Sequence, residues 1–142
     1  MDPLSGVASV IAVIQIAGAV IDLCYRYRSS LKDAPKTITR LMNEVRGVRV
    51  VLESLDTILA EEQSSGTAHL LALEEVMKGN GLLSQCSEEL EKLKKVLEPK
   101  QGLRAIGQVL KWPLTEKDVN KTLQCLQRLN ALFELALAGD HT

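Results

Sequence analysis

Histidine, aromatic residues and proline are all scarce in this 142-residue chain, which holds two His, one Trp, two Tyr, one Phe and four Pro. Each shortage excludes something. His69 and His141 have no partner at metal-ligand spacing, and Cys24, Cys86 and Cys125 are far apart and form no CxxC pair. The sequence therefore predicts no enzyme, no metal site and no cofactor. With so few rings there is no basic stripe with interleaved aromatics, and a net charge of −1 supplies no global field, so no nucleic-acid partner is expected. Gly79-Asn80-Gly81 is no phosphate loop, since no strand precedes it and no Lys-Ser or Lys-Thr follows. No small-molecule substrate is expected either. Three cysteines in apolar surroundings read as buried, reduced thiols of a cytosolic protein. The start, Met1-Asp2, lacks the positive segment of a secretory signal.

What the chain has in excess is one uncharged run, Pro3 to Ile21, between Asp2 and Asp22. A bilayer takes about 20 apolar residues, so the run is long enough to cross one or to serve as the buried helix of a bundle. Leu4, Val7, Val10, Ile11, Val13, Ile14, Ile16, Val20 and Ile21 cover every side of a helix, which predicts a helix with water on none. On an insertion scale these nine residues are worth about −3 to −5 kcal/mol before Pro, Gln, Ser and Gly subtract. Against protein each contributes at most about 1.5–3 kcal/mol, provided that partner helices exist. At rest, burial wins.

The partners are legible downstream. Asp2 and Pro3 are suited to start the first helix, which runs to about Ser29, and Arg26, Arg28, Lys32 and Lys36 cluster at and beyond its end. After a turn at Pro35, Ile38, Leu41, Val45, Val48, Leu52, Leu55 and Leu59 recur at spacings of three and four, a seam that ends before the loop residues Gln63 to Thr67. A third helical region spans about 68–97 with a break at Gly79-Asn80-Gly81, and keeps one register through Val76, Leu83, Cys86, Leu90, Leu93 and Leu97. Residues 100–111 form a short helix stopped by Trp112-Pro113. Thr115 then caps a last helix to about Ala138, with Val119, Leu123, Leu126, Leu129, Leu132, Phe133 and Leu137 on its apolar face. The expected architecture is all-α, one domain over residues 1–142: an antiparallel bundle of four main helices plus a short extra one, with the apolar N-terminal helix central. The cations at the end of the first helix are suited to its dipole or to anionic lipid headgroups, at about 1 kcal/mol each.

Three blocks, MDPLSGVASVIAVIQIAGAVI, SSLKDAPKTITRLMNEVRGVRVVLESL and LKWPLTEKDVNKTLQCLQRLNALFELAL, together resemble the fungal HeLo-like domain, which commonly forms the N-terminus of NOD-like (STAND) receptors. The resemblance covers about residues 1–138. It implies a helical cell-death effector, similar in role to the HeLo domain of heterokaryon incompatibility proteins, to the N-terminal bundle of the mixed-lineage kinase domain-like pseudokinase and to the coiled-coil domains of plant immune receptors. In that picture an upstream receptor or amyloid-templated partner makes the domain self-associate, and it passes from the cytoplasm to the plasma membrane and permeabilises it. Leu4 to Ile21 would insert, and Arg26, Arg28, Lys32 and Lys36 would face anionic lipids. The alternative is a soluble homotypic interaction module whose first helix never leaves the core.

Overall fold

The computed structural model describes residues 3–31, 33–65, 81–98 and 111–138, with side chains described for 10–31, 33–60, 81–98 and 111–138. Four helices take up nearly all of them, α1 (Pro3–Ser30), α2 (Lys36–Ser65), α3 (Leu82–Leu97) and α4 (Glu116–Ala138), with no strand among the described residues. Residues 100–110 of the expected short helix and the first part of the third region, 68–80, lie outside the described residues.

The helix ends follow local chemistry. Pro35 cannot donate a backbone hydrogen bond, but its carbonyl accepts one from Ile38 N at 3.1 Å and so opens α2. At the start of α4, Thr115 Oγ1 accepts from Asp118 N at 3.1 Å while Asp118 Oδ2 accepts from Thr115 N at 3.2 Å, a reciprocal capping box. These bonds hold the Asp118 carboxyl below its ordinary pKa, the Thr115 side-chain bond contributing most. Thr115 is thus the cap that the sequence predicts.

Packing follows seams of three and four. In α2 the fully buried Ile38, Leu41, Val45, Val48 and Leu52 lie on the expected heptad, joined by Leu55 and by Met42. In α3 the seam is Leu83, Cys86, Leu90, Leu93 and Leu97, and in α4 it is Val119, Leu123, Leu126, Leu129 and Phe133. With α1 these form one core of a helical bundle.

Among the described helices α1 packs chiefly on α2 and α3, and α4 packs chiefly on the same two. Among the described helices α2 and α3 also bury their seams against α4, so they leave part of the surface of α1 uncovered. One side of α1 is accordingly wet. Ile11 is 42% exposed, and Ala12 and Gln15 are exposed too.

Gly47 lies inside α2, and a Cβ built there meets nothing within 4 Å. Replacing Gly47 by Ala should therefore stabilise the domain by about 0.5–1 kcal/mol, through helix propensity and a less flexible unfolded chain. Thermal melting should show a rise of a few degrees; a fall would mean that the backbone there needs glycine.

Candidate functional site

The buried side of α1 consists of Val10, Val13, Ala17, Val20, Cys24 and Tyr27, again at spacings of three and four. Of the residues expected to insert, Val10, Val13 and Val20 thus belong to the core. Ile14, Ile16 and Ile21 are half-buried against it, and Ile11 is exposed. Leu4 and Val7 lie outside the residues whose side chains are described. Val10–Ser30 is long and apolar enough to cross a membrane, and only 33% of its apolar 18-residue window is buried, although a core helix passes the same test of length and composition.

The expected headgroup residues are only partly gathered. Arg26 is exposed and pairs with Asp22 at 3.8 Å. The guanidinium of Arg28 lies 5.6 Å from the centre of the Tyr25 ring, a cation–π arrangement on the surface. Lys36 is exposed at the start of α2, and Lys32 is outside the described residues.

Sequence reasoning missed what holds α1 in its seat. Tyr27 is 4% exposed, and its hydroxyl donates to the carbonyl oxygen of Leu97 at 2.8 Å. Leu97 is the last residue of α3, so its carbonyl has no partner within the helix and the phenol supplies one. Trp112 meets the Tyr27 ring edge to face, with centroids 5.2 Å apart and planes at 80°. The Trp112 Nε1 is buried with no acceptor among the described residues, so packing is what the described neighbours offer that ring. The three residues join the end of α1, the end of α3 and the approach to α4. Burial, and secondarily the neighbouring Cys24 thiol, raise the Tyr27 pKa. Further along α1, the guanidinium of Arg49 from α2 reaches over Gly18, where a built Cβ would lie 4.0 Å from Nη1, and Arg49 Nε donates to Glu53 Oε1 at 3.0 Å.

The chemistry available here is packing and charge. Burial pushes both the Cys24 and Cys86 thiols from 9.0 to about 12, which keeps them protonated and poorly nucleophilic at neutral pH. The sign of the linkage is clear. A raised thiol pKa contributes stability that is complete below pH 9 and is lost as pH rises from 9 towards 12. Melting temperature should therefore fall across that interval, and less steeply in Cys24→Ala; equal slopes would mean that Cys24 does not ionise on unfolding there.

No family model matches the chain, and no curated protein or solved structure matches it either.

Proposed function

We propose that this domain is a membrane-permeabilising effector whose working part is α1, in keeping with its resemblance to the fungal HeLo-like domain. The observation that carries the reading is the imbalance of α1: it is apolar on every side, yet only one stripe of it enters the core, and Ile11 stays 42% exposed. In water that surplus is a cost; in a bilayer it is the surface that binds. The resting form is a cytoplasmic bundle, in which we take helices consecutive in the chain to run antiparallel. Self-association, driven by an upstream receptor or amyloid-signalling partner, draws α1 from its seat towards anionic lipid at the plasma membrane.

The test is dye release from vesicles with and without anionic lipid, using the intact domain. Leakage that needs anionic lipid supports the reading. Removing Met1 to Ile21 is a poor control, because it strips Val10, Val13, Ala17 and Val20 from the core. A second reading is favoured by that same buried stripe: α1 is a permanent core helix and the domain is a soluble homotypic interaction module. It predicts self-association with rising concentration and no leakage at any lipid composition.

A further inference from the structure

The Tyr27–Leu97–Trp112 junction gathers more charge than α1 alone carries. It brings together the end of α1 with the start of α2, the end of α3, and the chain entering α4. Across residues 22–40, 91–98 and 111–121 the described chain has ten Lys or Arg against six Asp or Glu. The remaining described residues have three against eight. A nearly neutral molecule is therefore polar end to end. Within the basic end several acids are already engaged: Asp22 with Arg26, Glu98 with Lys94 at 3.6 Å, and Asp118 in the Thr115 cap. Lys36, Lys95 and Lys111 are exposed and form no ion pair among the described residues.

We propose that this junction end of the bundle is a docking surface for anionic lipid, with Lys95 and Lys111 as contacts alongside Lys36. The partner rests on the membrane reading above; the site does not rest on leakage. The competing occupant is the acidic end of a second copy. Field strength decides between them. Each cation near an anionic bilayer raises partition about fivefold, whereas an exposed ion pair between proteins is worth about fivefold at most and often nothing, against a large loss of freedom on association. A continuous anionic surface also serves all the cations at once. Docking this end brings Tyr27 and the exposed Tyr25 of α1 to the headgroup level, so the seat of α1 lies against the bilayer that would receive it.

The test is sedimentation of the full chain with phosphatidylcholine vesicles, with and without phosphatidylserine. Lys95→Glu combined with Lys111→Glu should cut binding to the anionic vesicles at least about twentyfold, because each reversal removes an attraction and adds a repulsion. Arg46→Glu combined with Arg128→Glu makes the same change of net charge on the other part of the bundle and should leave binding within about threefold, since those charges lie farther from the surface than a Debye length. Circular dichroism checks that both variants are folded. Equal losses in the two variants, or none in either, overturn the proposal. So does a Lys95/Lys111 variant that loses self-association and keeps lipid binding, which would assign the surface to a second copy. Binding that follows the prediction without dye release would leave the docking surface standing and remove the permeabilising function.

Discussion

Ile11→Asp abolishes dye release and leaves the fold intact. Ile11 lies near the middle of the uncharged run yet outside the core seam, at 42% exposure, so an aspartate there meets water at rest. The change in the folded bundle is limited to helix propensity, a few tenths of a kcal/mol. In a bilayer the same change moves the residue from about −0.5 to about +3 kcal/mol, a factor of more than about 100 in insertion. The contrast is Val10, one residue earlier and fully buried. A charge at Val10 has neither water nor a partner and unfolds the domain, so loss of activity there says nothing about lipid. The measurement is leakage together with thermal melting. A folded Ile11→Asp that still releases dye would end the case for α1 as the inserting element.

Tyr27→Ala lowers the melting temperature by about 10–20 °C. It removes a buried ring, the edge-to-face contact with Trp112 and the bond to the Leu97 carbonyl, a loss of about 3–5 kcal/mol from a domain whose whole stability is about 5–15. Tyr27→Phe separates the hydroxyl from the ring. It keeps most of the packing and leaves the Leu97 carbonyl buried without a donor, at a cost of about 1–2 kcal/mol. If α1 must leave this seat to act, that cost favours the open form five- to thirtyfold, so Tyr27→Phe should leak faster than the parent while melting only a few degrees lower. Lower melting with unchanged leakage would mean that release of α1 does not pass through this contact. Hydrogen exchange along α1, measured without lipid, should rise in the same variant ahead of α2 and α4.

How much of this was legible depended on contrast within each helix. In α2, leucines and valines alternate with charged residues, so Ile38 through Leu55 reveal their side of the helix without a structure, and Thr115 announces the cap of α4 by its spacing to Asp118. In α1 there is no contrast. Val10 and Ile11 are equally apolar, and nothing in their identity shows that one is fully buried and the other exposed. The number of partners available to α1 is illegible for the same reason, because it depends on where α2 and α3 spend their own seams. The Tyr27 latch was illegible for a different reason. Its acceptor is a main-chain carbonyl seventy residues away, and a carbonyl leaves no mark in a sequence. Lys95 and Lys111 join the basic end only through that contact.

The lack of contrast in α1 has a mechanical side. Val10, Val13, Ala17 and Val20 form one row, and Ile11, Ile14, Gly18 and Ile21 form a second, about 100° around the axis and at the same spacing. Along this stretch the two rows are interchangeable in polarity and close in size, so the helix carries no strong preference for which row faces inward. Only farther on do they diverge: the first row continues to Cys24 and Tyr27, the second to Tyr25 and Arg28, and of these Tyr27 reaches Leu97. The angular orientation of the whole helix is thus specified at one end. Between Val10 and Ile21 the angular setting of α1 is therefore carried by shape, and side-chain chemistry first marks it at Tyr27.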